Sequence, residues 1–136
     1  MRDEIPSARL LLRRPAAADA GPLGFWAARR EVAEMTSVPH PYPAGAAEAF
    51  IRKAADPAHP EDAYVIDGGP SGAERFLGVV GLRGVEGEAR RKLGFWVAPH
   101  VWGSGYATEA ASALLSEAFD GAGLETARAT VYLDNP

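Results

Sequence analysis

Two glycines separated by one serine, Gly103-Ser104-Gly105, are the residues of this chain whose type and spacing point most directly to chemistry. They follow a stretch in which Leu93, Phe95 and Val97 alternate as in a strand, and Pro99, which cannot continue a central ladder, ends it. They precede Ala107, Ala110, Ala111, Leu114, Leu115, Ala118 and Phe119, apolar or small residues that recur at helical spacing. The glycines therefore stand at the mouth of a helix. Lacking a β-carbon, they let the chain turn tightly and let an anion approach the unpaired N–H groups of the first turn, where the helix dipole also favours negative charge. No lysine follows them, so the phosphate-loop pattern ending in GK[ST] is absent. A phosphate bound here would be held mainly by main-chain amides.

Titratable candidates lie elsewhere. His40 and Tyr42 sit among three prolines in SVPHPYP, and prolines fix their own φ and bias their predecessors to extended geometry. A rigid loop of this kind can hold a side chain over a pocket, and histidine can take a proton from an ammonium group near neutral pH. The plainer reading is that both residues only pack or solvate the loop. Glu86 and Glu88 flank Gly87 in a charged turn, where solvated carboxylates are common, and Glu109 falls in the first turns of the helix, where a carboxylate suits the dipole. With no cysteine, disulfides, thiolate zinc sites and a cysteine nucleophile are excluded.

The elements that must position these residues read in order. ARLLLRR, residues 8–14, is a first strand; Asp19 then precedes one or two short helices carrying Leu23, Phe25, Trp26, Val32 and Met35, broken near Gly21 to Gly24. Ala47, Phe50, Ile51 and Ala54 mark a further helix, and His59 beside Pro60 belongs to an exposed linker. AYVID, residues 63–67, FLGVVGLRGV and KLGFWV are strands joined by short glycine-bearing turns, which implies antiparallel pairing. Gly78 and Gly81 mark a bulge or a close approach by another segment. The helix after the glycines crosses over, so TARATVYLDN can lie parallel to the strand before it. The expected class is α+β, with a mixed, mostly antiparallel central sheet and flanking helices.

At 136 residues and 47% hydrophobic composition the chain is one domain with a core of useful size. A formal net charge of -4 argues against a dedicated nucleic-acid binder. No apolar run is long enough to span a bilayer, and MRDEIPSARLLLRR lacks the ordered regions of a signal peptide, so a cytoplasmic location is expected.

The segment HVWGSGYATEA resembles the acetyl-CoA pyrophosphate loop of the GCN5-related N-acetyltransferases (GNAT), in which Gln or Arg is followed by two variable residues, Gly, one variable residue and Gly or Ala. Gly103 and Gly105 match, and His100 stands where Gln or Arg is usual. The wider run from LGFWVAP through GYATEAA to the terminal DNP is similar to the branch of ribosomal-protein-alanine N-acetyltransferases. The resemblance implies a single domain over 1–136, with acceptor-side elements in 8–60 and an acetyl-CoA-binding core in 63–136. It implies direct acetyl transfer from acetyl-CoA to an amine, on a protein N-terminus or a small molecule, with no metal. Phe95, Trp96 and Val97 match the strand that contacts pantetheine; Trp102, Gly103, Ser104, Gly105, Tyr106 and Ala107 match the pyrophosphate turn; Asn135 matches an asparagine delivered toward the pantetheine arm. The helices after Asp19 would flank the acceptor groove, with His40 and Tyr42 on the acceptor side.

Two departures qualify this reading. Lys92 occupies the place before LGF where related sequences often carry an acid, leaving His40, Glu86 or Glu88, a base reached through water, or desolvation alone to give the neutral amine. The family pattern also continues past DNP with a helix and a final strand bearing the Ser or Tyr that protonates the thiolate, whereas this sequence stops at Pro136. The domain is thus expected to be C-terminally incomplete, with no assignable general acid and a sheet edge that a partner chain, such as a second copy, could complete. The competing reading is a catalytically degenerate CoA-binding sensor or interaction module. A general nucleotide binder is disfavoured, because the chain has neither a Walker lysine nor the three-glycine dinucleotide pattern.

Overall fold

The computed structural model describes residues 1–34, 38, 40–84, 90–120 and 126–129, with the backbone alone at 90 and 126–129. Six strands, β1 (Glu4–Pro6), β2 (Leu11–Arg13), β3 (Glu61–Asp67), β4 (Gly78–Gly84), β5 (Arg90–Val97) and β6 (Thr126–Ala129), form one sheet in sequence order. Every neighbouring pair is antiparallel except β5 and β6, which run parallel. The mixed sheet expected from the turn lengths and the single helical crossover is what forms.

Helices cover both faces. α1 (Ala20–Ala27), α2 (Arg30–Glu34) and α3 (Ala46–Ala54) lie between β2 and β3 in the chain, and α4 (Tyr106–Asp120) between β5 and β6. The strand period of two sorts the core between them. Leu12, Tyr64, Ile66, Val80, Leu82 and Val97 face α4, whose buried positions are Ala107, Ala110, Leu114 and Ala118. Val65 and Val79 face the other way, toward Leu23 and Ala27 of α1 and Ala47 of α3. Small residues at three of α4's four buried positions let that helix lie close on the sheet.

Several sequence expectations shift. The first strand is not residues 8–14: Ser7 to Leu10 make a turn, with the Ser7 N–H donating to the Leu10 carbonyl at 2.9 Å, between β2 and a preceding three-residue strand. The break in the first helical stretch is not at Gly21 to Gly24, because α1 runs through both glycines and the chain breaks at Ala28–Arg29. A β-carbon on Gly24 would lie 3.7 Å from that of Ala47, so this glycine belongs to the α1–α3 contact. Gly78 does mark a close approach, since a β-carbon there would sit 2.0 Å from the Trp96 carbonyl oxygen.

A charged network anchors the turn into α1 to the sheet. Arg13 donates to Asp67 at 2.8 Å and to both carboxylate oxygens of Asp19, in the turn leading into α1, at 2.8 and 2.9 Å. Both acids are buried, and the Asp19 hydrogen bonds raise the Arg13 pKa above its ordinary value. Burial pushes the Asp19 pKa up, but the bonds from Arg13 and the Ala16 N–H outweigh it and the net shift is downward. Among the described residues no helix is long and apolar enough to cross a membrane.

Candidate active site

Between β5 and α4 the chain makes a short turn over Pro99–Val101 and then two left-handed residues, Gly103 at φ 81° and Gly105 at φ 79°. That region favours glycine, which explains why these two positions lack side chains. The first helical bond runs from the Glu109 N–H to the Gly105 carbonyl at 3.0 Å. The N–H groups of Tyr106, Ala107 and Thr108 therefore have no carbonyl partner within the helix, and they share the dipole's positive end. This cradle of amides at a helix mouth is the shape that the glycine spacing suggested.

The cradle is braced from a distance that sequence reading missed. The Glu109 carboxylate accepts from the Ser7 hydroxyl at 2.5 Å, the Arg9 N–H at 2.8 Å and the Arg9 Nε at 2.7 Å. Arg9 also donates Nη1 to the Ser104 carbonyl at 3.0 Å and lays its guanidinium 4.5 Å from the centre of the Tyr106 ring. Burial raises the Glu109 pKa, yet the bonds from Ser7 and Arg9 prevail and lower it overall, so the group is an ionised strut with its oxygens engaged. The turn between β1 and β2 thus fixes both the loop and the first turn of α4.

Strand β5 supplies the neighbouring edge. The Ala98 N–H donates to the Leu77 carbonyl at 2.7 Å and Val97 pairs with Gly78, so by antiparallel alternation Gly94 and Trp96 turn their main chains to β4. Phe95 and Val97 turn theirs to the other side. The Val97 carbonyl accepts from the Trp102 indole Nε1 at 2.9 Å, and the last described pair with β6 is Leu93 with Ala129. The Phe95 main chain therefore faces away from β4, past the last β5–β6 pair among the described residues.

The side chains divide by face. Phe95, Trp102 and Tyr106 pack against the α4 core. Trp96 sits on the opposite face, 5.9 Å from the Phe76 ring, and helps enclose a cavity of about 210 Å³ with Leu23, Ala27, Val38, Tyr42, Phe50 and Val79. Its side chain thus faces α1 and α3. Tyr42 lies in that cavity, and burial, then Glu48, raises its pKa, so its hydroxyl keeps its proton. His40, two residues away, is exposed and outside the lining, so the structure does not bring the pair together. His59, expected to be exposed, is half-buried.

His100, at the start of the loop motif, is stacked on Trp26 of α1 at 4.7 Å and holds Glu74 through Nε2 at 2.5 Å. It ties the loop to α1. Lys92 is exposed on β5. Glu86, Glu88 and Asn135 lie outside the described residues. Among the described residues no cluster of three or more His, Asp or Glu could hold a metal ion.

Comparison with known proteins agrees with this geometry. The family model for the acetyltransferase (GNAT) domain matches residues 9–136. Among solved structures, a GNAT-family acetyltransferase from Bacillus anthracis superposes with a TM-score of 0.81 at 21% identity, covering 97% of this chain and 75% of the other. A spermidine N-acetyltransferase from Vibrio cholerae, solved with CoA and spermine, gives 0.77 at 19% identity, covering 96% and 75%. RimJ from Mycobacterium smegmatis, solved with CoA-disulfide, gives 0.77 at 20% identity, covering 98% and 69%. At these identities the superpositions establish the fold, and this chain spans roughly three quarters or less of each structure's length. No curated protein matches. With the match running from Arg9 to the last residue, the chain belongs to the GNAT acetyltransferase family, whose acetyl donor is acetyl-CoA.

Proposed function

We propose that the chain moves an acetyl group directly from acetyl-CoA to a primary amine. The observation that carries this is the left-handed Gly103–Gly105 turn at the start of α4, set beside the outward-facing main chain of Phe95. In this reading the amides from Gly103 to Ala107 hold the pyrophosphate, with Trp102 closing over the Val97 carbonyl. The Phe95 main chain pairs with the pantetheine arm, and Asn135 adds a contact to it. The thioester carbon then lies at the β5 edge, within reach of an acceptor approaching from the α1–α3 side.

The chemistry needs a neutral amine. Its lone pair attacks the thioester carbonyl and the C–N bond forms; the tetrahedral oxyanion collapses, the C–S bond breaks to release CoA thiolate, and the extra proton on the new amide nitrogen passes to solvent. His40 and Glu86 are proposed as the groups that accept the ammonium proton; His40→Ala or Glu86→Gln with an unaltered pH–rate profile removes the residue concerned. The acceptor is a protein N-terminal amine, as in the ribosomal-protein branch, or a small-molecule amine, as the spermidine enzyme with the same fold illustrates. A cytoplasmic setting, where acetyl-CoA is available, and a second copy completing the sheet belong to the same proposal, the latter checked by light scattering.

Amine-dependent thiol release from acetyl-CoA tests the reading. Release that saturates in both substrates supports it. Tight CoA binding with no release from any amine would favour the degenerate CoA-binding module instead.

A further inference from the structure

We infer that the cavity between α1, α3 and the β4–β5 face is the acceptor's side-chain pocket, and that it selects a primary amine bearing one compact apolar group, of isobutyl to phenyl size. This rests on the acetyl-transfer reading for the place of the reacting carbon. Val79 and Trp96, register partners on β4 and β5, form the floor, with Leu23 and Ala27 of α1 and Phe50 of α3 as walls. The polar groups on its described lining side chains are the Tyr42 hydroxyl, kept protonated, and the Trp96 indole N–H. Neither can neutralise an ammonium. The pocket holds about 210 Å³, and a cavity of about 150 Å³ lined by similar side chains accepts benzene.

Position and charge agree with this class. Trp96 is the direct neighbour of Phe95, so a group seated on the indole holds its amine near the cofactor edge of the same strand. Next along this face is Gly94, above which a β-carbon would meet nothing within 4 Å, so an acceptor can cross the bare strand there. Beyond it Lys92 and Arg83 are register partners, both exposed on this face, with Glu61 the register partner of Arg83 on β3. A polycation would meet an uncharged apolar pocket that can neutralise none of its charges. An amine with a single apolar group escapes that penalty.

The test uses the chain saturated with CoA, titrated calorimetrically with 2-phenylethylamine, isoamylamine, ethanolamine and spermidine, together with thiol release from acetyl-CoA for each. Burying an isobutyl or phenyl group is expected to favour the first two by about 10–100-fold in affinity and in kcat/KM. Ala27→Leu, which fills the cavity, should reduce that preference roughly tenfold while acetyl-CoA affinity is unchanged. Phe50→Asp, at a half-buried wall, should narrow the gap to spermidine and covers the case in which Ala27→Leu fails to fold. Spermidine or ethanolamine binding as well as the apolar amines, or a preference unmoved in a folded variant, overturns the pocket. Equal turnover of all four amines would sink the pocket and leave acetyl transfer standing; a preference in binding without turnover would do the reverse.

Discussion

The two faces of the sheet are held in different ways. On the α4 face the groups proposed to hold the donor belong to the main chain: two left-handed glycines, the first-turn amides of a 15-residue helix and the side of β5 turned away from β4, locked by the bonds of Glu109 and Trp102. On the opposite face three helices of eight, five and nine residues leave a cavity lined by side chains, and Phe25 of α1 is 52% exposed. A main-chain cradle is indifferent to most substitutions, which suits a donor common to a whole family. A cavity of side chains changes its selectivity with each replacement, which suits an acceptor that differs from one member to the next.

The largest expected effect tests whether the α1–α3 face depends on its charged anchor. Arg13→Met leaves buried Asp19 and Asp67 with only the exposed Arg75 guanidinium, 3.6 Å from Asp67, among the described residues, and breaking such a buried pair costs about 3–5 kcal/mol. Urea unfolding should show a loss of that size. A change below about 1 kcal/mol would mean the network contributes only at its surface.

Next comes the cradle itself. Gly103→Val forces a β-branched residue to a φ of 81° and should weaken acetyl-CoA binding by about 100-fold with the fold intact by circular dichroism. Glu109→Ala, which removes the brace without touching the turn, should cost about 2 kcal/mol of stability and weaken acetyl-CoA several-fold while sparing acceptor preference. An effect on acceptor preference alone would break the division between the two faces.

The smallest effect is acid sensitivity, shared by both faces. Asp19 and Glu109 have pKa values depressed in the fold, and so does Asp62, where burial raises the pKa but the bonds from Arg91 and Arg14 overcome it. Depressed carboxylates contribute stability that is fully present above their unfolded values, about 4, and is lost as pH falls through the folded ones. The urea midpoint should therefore be nearly flat from about pH 7 to 5 and fall below about pH 4. A midpoint that rises on acidification would contradict the direction of all three shifts.

What was legible in the sequence was local. The strand, glycine turn and helix around Gly103 show a hydrophobic period that switches from two to 3.6 across two glycines, and the structure follows it. Gly78 announced a close approach but not its partner, which lies on the next strand. The three residues of β1 are too few to show a period. The glycines of α1 weaken helical propensity, and packing against α3 overrides it. Arg9 gave no signal, because its partners Ser104 and Glu109 are 95 and 100 residues away. His40 and Tyr42 looked equivalent in one loop, and only the fold sends Tyr42 into the cavity and leaves His40 in solvent, since a loop has no period to tell them apart.

The central claim is that main-chain groups at the start of α4 hold acetyl-CoA, and calorimetric titration of the chain beside its Gly103→Val variant tests it most directly. Saturable binding at one site per chain is expected, weakened about 100-fold in the variant while both remain folded. A folded chain that does not bind acetyl-CoA, or a variant that binds it as tightly as the parent, would contradict it.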